Sequence, residues 1–296
     1  MKTTVSPLQT FEQRIEREFI HGSAIAPSLF ESAIAFLEDS GFWETHQALG
    51  FEVRTQWQTR KPHDFGVLAG FKNETGDFWQ FKPEKPLIRS NGKTQKYQTP
   101  KGNGSRAFLP AIPIITRQLI SKRYGVELPS DQSFWDFVES HPEIPIVITE
   151  GGKKALALLS LGYVAIALYG VNGGYRTKDS NDYPIKPELI LDIARFCQPG
   201  RKIILAFDQD QKEETRRKVE RALTRFGSLL VATGAEVEIA TWKPEQGKGV
   251  DDLVVQGGTA AWESAYSQAL PLQHWQLWQR LENRLTWQPD LKVKTH

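Results

Sequence analysis

The 296-residue chain reads as an α/β protein: a parallel sheet flanked by helices, preceded by an α+β region and followed by a helical tail. Three observations predict this. Four short runs rich in apolar residues, at 144–149 (IPIVIT), 163–170 (YVAIALYG), 201–208 (RKIILAFD) and 235–242 (AEVEIATW), each precede a loop and a helical stretch. That alternation is the signature of βα units joined by right-handed crossovers. The first run is wholly apolar and β-branched, as suits a strand buried on both faces. The stretch 213–234 has the amphipathic spacing of a long helix laid on such a sheet.

The elements follow in order. Phe11, Ile15 and Phe19 recur at i, i+4 and i+8 and predict a helix over 11–19. A second helix is predicted over 28–39, opened by Ser28 with Glu31 three residues on, and stopped by Gly41. From 51 to 110 the texture turns to short β-like runs (FEVRTQW, FGVLAGF, DFWQFKP), the last two joined as a hairpin through Asn-Glu-Thr-Gly. Residues 111–125 return to helical spacing, and Pro129 to Pro142 mark a domain boundary. Within the α/β part, helices are predicted after the first strand (KKALALLSLG), over 187–197, over 213–234, and as a pair after the GKGVDDL turn. The resulting units are 1–50, 51–140, 141–257 and 258–296. The tail carries Trp262, Trp275, Trp278 and Trp287 and is amphipathic.

Composition excludes several classes. With 40% hydrophobic and 24% charged residues, the chain is neither disordered nor of low complexity. No run approaches the roughly 18–20 apolar residues of a membrane helix, and the first residues lack the apolar core of a signal peptide. A cytoplasmic setting without membrane partners is expected. The single cysteine, Cys197, leaves no disulfide and no multi-cysteine zinc site. The net charge of +2 is uninformative, but its distribution is not. Stretch 82–106 holds Lys82, Lys85, Arg89, Lys93, Lys96, Lys101 and Arg106 against Glu84, whereas residues 1–50 carry a net −4. A polyanion partner and an ordinary solvated loop both account for such a stretch.

In open α/β sheets ligands gather at the carboxyl ends of the strands. There the first strand ends at Glu150, the third in Asp208-Gln-Asp210, and Asp251-Asp252 follow the fourth. If the third strand persists, Asp208 and Asp210 share one face about 7 Å apart. Adjacent carboxylates repel, and a hard divalent cation (Mg²⁺ or Mn²⁺) would remove that repulsion. Taken singly, each acid has a plainer role: Glu150 at a helix N-terminus, Asp208 and Asp210 in a strand-end turn, Asp251 and Asp252 as helix caps. Lys153 and Lys154, after Gly151-Gly152 at a helix start, suit either a phosphate or solvent. In the loop Gly170–Arg176, Tyr175 and Arg176 suit a base and a phosphate, or the glycines simply allow a turn. No Walker A motif is present, and the six histidines show no metal-binding spacing.

These residues carry a resemblance. IPIVITEGGKKALALLSLGYVAIALYG followed by RKIILAFDQD resembles a TOPRIM domain, the fold shared by bacterial-type primases, topoisomerases and some nucleases. FWQFKPEKPLIRSNGKTQKYQTPKGNGSRAFLP resembles the block that precedes it in a family of primase-like replication proteins of plasmid or phage type. Together the blocks cover about 50–256. The resemblance implies that Glu150, Asp208 and Asp210 are catalytic and bind metal, with Asp252 helping. It implies that Lys82, Arg89, Lys93, Lys96, Tyr97, Lys101, Arg106, Lys153, Lys154, Arg176 and Lys248 meet nucleic acid or phosphate. Where primases carry Asp four residues after the Glu this chain has Lys154, and Gln211-Lys212 replaces the usual Ala-Gly after Asp-x-Asp. Three functions stay open. The first is a primase-like nucleotidyltransferase of a mobile element, using Mg²⁺ or Mn²⁺, single-stranded DNA and nucleoside triphosphates beside a separate helicase. The others are a non-catalytic DNA-binding accessory and a TOPRIM nuclease.

Overall fold

The computed structural model describes residues 9–38, 43–51 and 63–285. Helix α1 (Phe11–Ile20) starts at a reciprocal cap: the Gln13 amide N–H donates to Thr10 Oγ1, and the Thr10 N–H donates to Gln13 Oε1. Its predicted stripe of Phe11, Ile15 and Phe19 is buried. Helix α2 (Pro27–Ala33) begins with Pro27 in the first turn and ends earlier than expected. The predicted helix over 28–39 is corrected here: Ile34–Leu37 is a strand, β1. The β-branched Ile34 leaves the helical region, and a non-local partner satisfies the backbone. After α3 (Trp43–Ala48), that partner is β2 (Leu68–Lys72), which forms with β3 (Phe78–Pro83) the predicted hairpin. The antiparallel order is β1-β2-β3. The runs at 51–57 and around Trp287 lie almost wholly outside the described residues.

Two short pairs of residues, β4 (Leu87–Ile88) and β5 (Thr94–Gln95), fold the basic stretch back on itself. Helix α4 (Ile114–Tyr124) ends at Gly125, and α5 (Phe134–Ser140) occupies the stretch read as a boundary. Helix α5 buries Phe134, Trp135, Phe137 and Val138 in the same core that holds the α1 stripe and the main sheet.

The α/β part is as predicted in its framework. Strand β6 (Ile146–Glu150), helix α6 (Gly152–Ser160) and strand β7 (Ala165–Leu168) form the first unit. The expected helix over 187–197 is replaced by a hairpin, β8 (Tyr175–Lys178) with β9 (Pro184–Leu189), and only a four-residue helix α7 (Leu191–Ala194). A partner outside the stretch explains the correction: Pro184–Leu189 pairs antiparallel with Tyr175–Lys178, Tyr175 opposite Leu189 and Arg176 opposite Glu188, and alternates exposed and half-buried side chains. Then come β10 (Lys202–Ala206), the 19-residue α8 (Glu213–Val231), β11 (Glu236–Ile239), α9 (Val250–Ser267, kinked at Gly258), the two-residue β12 (Leu270–Pro271) and α10 (Leu272–Leu285). The order is β12-β11-β10-β6-β7, parallel except for β12.

The two sheets are tied beside β7. The Phe108 N–H donates to the Ala167 carbonyl at 2.9 Å. Trp79 of β3 stacks on Tyr169 with centroids 4.5 Å apart, and the Tyr169 hydroxyl donates to the Trp79 carbonyl. Among the described residues no helix is long and apolar enough to cross a membrane.

Candidate active site at the sheet switch point

Chain order and sheet order together locate a crevice. From β6 the chain moves outward to β7, then returns across the sheet to β10 and on to β11. The direction therefore reverses between β6 and β10, and in open α/β sheets the crevice beyond the carboxyl ends at such a reversal is where ligands bind. The register pairs Thr149 with Ala206, so Glu150 and Asp208 emerge from neighbouring strands at that point. Gly151 turns the chain there, with φ +87°. Gly152 lets α6 approach the first sheet: a methyl group on it would fall 2.5 Å from the Phe71 ring.

The acids do not face one another bare. Strand β10 ends at Ala206, so Asp208 and Asp210 lie beyond it and take separate partners. Lys154 Nζ meets Asp208 Oδ1 at 2.6 Å, both side chains being largely buried. Lys248 Nζ meets Asp210 Oδ2 at 2.9 Å, and the Lys212 N–H donates to Asp210 Oδ1 at 2.9 Å. The Gln209 N–H donates to the Lys248 carbonyl, lacing the two loops together. The Glu150 side chain has no hydrogen-bonding or ion-pairing partner among the described residues. Burial, and then the neighbouring Asp208, push its carboxyl above the usual range, against the pull of Lys154 and Lys248. Burial alone would lower the Lys154 ammonium, but Asp208, Asp251 and Glu150 together raise it. The hydrogen bonds from Lys248 and the Lys212 amide hold Asp210 below the ordinary carboxylate range.

Helix α1 closes the other side. Glu18 accepts from Lys82, and its second oxygen lies 3.1 Å from Lys153 Nζ. Lys153 is also 4.0 Å from Asp251, a buried acid that accepts from the Ser23 hydroxyl at 3.0 Å. Burial, first, raises the Asp251 carboxyl. Asp251 is thus the inward member of its pair. Asp252, expected to help hold a metal, accepts from the Gly249 N–H at 3.0 Å and caps α9. Glu18 and Ser23 were not singled out in the sequence; only the polar face of the predicted first helix pointed to Glu18.

The other basic residues scatter. Lys82 is spent on Glu18, and Arg106 bridges Asp77 and Asp192. Arg89 donates to Gln95, while Lys93 and Lys96 are exposed, and Lys101 lies 4.1 Å over the Phe51 ring. Tyr97 turns inward against Phe71, and burial raises its hydroxyl pKa. Arg176 pairs with Glu188 across the β8–β9 hairpin. Tyr175 is buried against Phe226 and donates to Asn172, so its ring is not free to stack on a base.

The donor chemistry suits a hard cation, but the arrangement does not. Among the described residues no three carboxylate, imidazole or thiolate side chains come together as a metal site. Two ammonium groups, Lys154 and Lys248, supply the positive charge that a divalent ion would bring.

Comparison with known proteins agrees with the architecture. A family model described as a domain of unknown function, DUF3854, matches residues 134–261. An uncharacterized protein of Picosynechococcus sp. is 36% identical over 94% of this chain, which spans 29% of that protein's length. The crystal structure of the zinc-binding and RNA polymerase domains of Aquifex aeolicus primase is similar at TM-score 0.50 and 15% identity, covering 89% of this chain and 57% of that one. The catalytic core of E. coli primase gives TM-score 0.49 at 18% identity, over 94% and 79%. The chain has the fold of a primase catalytic core.

Proposed function

We propose that this chain is a primase-like nucleotidyltransferase acting on a nucleic-acid template, with its reacting centre at Glu150, Asp208 and Asp210. One observation carries the reading: these acids and two lysines, Lys154 and Lys248, converge where the sheet order reverses. A carboxyl with a raised pKa and no partner is a proton acceptor in waiting, so Glu150 takes the proton of the attacking hydroxyl. Lys153, Lys154 and Lys248 face the charge that develops on the transferred phosphoryl group. Lys93, Lys96 and Lys101, exposed on the basic stretch, hold the template. Mg²⁺ or Mn²⁺ belongs to the proposal as a competitor of Lys154 for Asp208. The proposed setting is the replication of a plasmid, phage or other mobile element in the cytoplasm, beside a separate helicase.

A second reading has its own support. Asp208 and Asp210 are already neutralised by ammonium groups, which favours a DNA-binding accessory that no longer catalyses. One assay separates them: primer synthesis and strand cleavage on single-stranded DNA with nucleoside triphosphates, with either metal, for wild type and Glu150→Gln. Synthesis lost in the variant supports the primase reading, and cleavage lost in it supports a nuclease. Neither activity in wild type, with DNA binding intact, leaves the accessory.

A further inference from the structure

A second concentration of positive charge lies away from the acids, where α8, α10 and the β8–β9 hairpin enclose an open groove of about 990 Å³. Lys186 comes from β9, Lys218, Arg221 and Arg225 from α8, and Arg280 from α10, against the single acid Glu220. All five cations are exposed. That local balance of +4 exceeds the +2 of the whole chain. Lys218 is engaged by Glu214 at 2.6 Å, and Arg225 leans 6.0 Å from the Tyr175 ring. Lys186 and Arg280 have no ion-pair partner among the described residues. Cations drawn from three elements into one concavity repel one another unless something anionic lies between them.

The groove has a direction. It adjoins a cleft of about 670 Å³ that reaches Asp208 and Asp210, and Glu220, Trp275 and Gln279 line both. Trp278, 56% exposed, stands in that cleft beside Trp242. From Lys218 to Arg225 the helix rises about 10 Å. That is room for roughly three phosphates at the 3.4 Å per nucleotide of a stacked strand.

We propose that this groove is a phosphate track for single-stranded nucleic acid, along which a strand runs from α8 and α10 toward the acid cluster, with Trp278 as a stacking platform at its inner end. An exposed indole between a cationic track and the acids favours a nucleic acid over an acidic peptide, because every base offers a ring face to stack. The track rests on the active-site reading only for where it leads, not for what it binds.

The test is fluorescence anisotropy of a labelled mixed-sequence single-stranded DNA 16-mer with the full chain, across salt concentrations. Replacing Arg221, Arg225 and Arg280 together by Gln should lower the log–log salt slope by about 2, at roughly 0.7 per contact. A fourfold dilution of salt then gains the variant roughly 15-fold less affinity than wild type. The matching triple Lys variant, which keeps the charge, should restore the slope. Trp278→Ala should weaken binding about 10-fold with the slope unchanged. A Gln variant with wild-type circular dichroism and an unchanged slope would overturn the proposal. So would an equal loss of binding to labelled polyglutamate, which would make the groove a generic anion surface. The salt slope is read from binding alone, with neither metal nor nucleoside triphosphate present, so failure of the active-site reading leaves this result unaffected.

Discussion

Replacing Lys154 by Met probes what holds the acid cluster together. The Lys154 and Asp208 side chains are 18% and 17% exposed, with Nζ and Oδ1 2.6 Å apart. At that distance the attraction is about 6 kcal/mol for an effective dielectric of about 20. Several kcal/mol of desolvation per ion offset it, so the pair as a whole is close to neutral. Deleting one partner is different: the attraction goes, and the desolvation of the remaining ion stays. Asp208 would then sit uncompensated beside Glu150, and a loss near the lower end of the roughly 3–5 kcal/mol range is expected. Urea denaturation at pH 7 of Lys154→Met, Asp208→Asn and the double variant gives the coupling. It should be about 2–3 kcal/mol, with the double variant less destabilised than the sum of the singles. The same single variant frees Asp208 for a cation. Added Mn²⁺ should therefore raise the Tm of Lys154→Met, by the equivalent of about 2.7 kcal/mol at 100 times Kd, while leaving wild type nearly unmoved. Additivity within about 0.5 kcal/mol would refute the reasoning, because the lysine would then not be what compensates Asp208.

Gly152→Ala should cost about 1–3 kcal/mol by thermal denaturation, because the new methyl group meets the Phe71 ring at 2.5 Å. A neutral result would show that the first sheet can draw back from α6. For Glu18→Gln the sign follows from a carboxyl that burial would raise but that Lys82 and Lys153 hold below its ordinary range. Its contribution is therefore present in full above the unfolded carboxylate pKa near 4.5, and lost as pH falls through the lowered folded value. The side chain is 39% exposed, so solvent screening reduces the stability gap from wild type to about 1 kcal/mol at pH 7. That gap should close in acid, and one that widened would reverse the assignment. Lys93, Lys96 and Lys101 replaced together by Gln should flatten the salt dependence of template binding by about two contacts' worth if the basic stretch holds the strand. An unchanged slope would make it a solvated loop.

The sheet was legible because its strands are local in sequence: short apolar runs whose burial on both faces leaves one reading. The places where the reading failed share a cause. Ile34–Leu37 is a strand only because β2, some 30 residues on, offers it a partner, and nothing within 28–39 encodes that. Likewise Pro184–Leu189 is a strand because β8, ahead of it in the chain, offers it a partner, and nothing within 187–197 encodes that. Strand ends were enough to place Glu150, Asp208 and Asp210 together at the carboxyl edge of the sheet. The resemblance points to Asp252, but α9 starts at Val250, which makes Asp252 a cap and sends Asp251 inward beside Lys153.

The ion pairs bear directly on which function the cluster serves. A carboxylate cluster built to receive a divalent cation is costly when empty, and that cost is repaid on binding. Here the repulsion is already relieved within the chain, since Asp208 and Asp210 each hold a lysine while Glu150 alone stays without a partner. A cation held by Asp208 would have to take the place of Lys154, whose ammonium would then be free for a phosphate. Metal and phosphate would on that scheme bind with positive coupling, each better in the presence of the other. A purely binding accessory has no such coupling, because the lysines would meet phosphate whether or not a metal is present. Titrating Mn²⁺ with and without a nucleoside triphosphate analogue, and following protein stability rather than turnover, tells these apart before any product is sought. Equal Mn²⁺ affinity in both titrations, after correction for metal bound by the nucleotide itself, would count against the exchange and for the accessory.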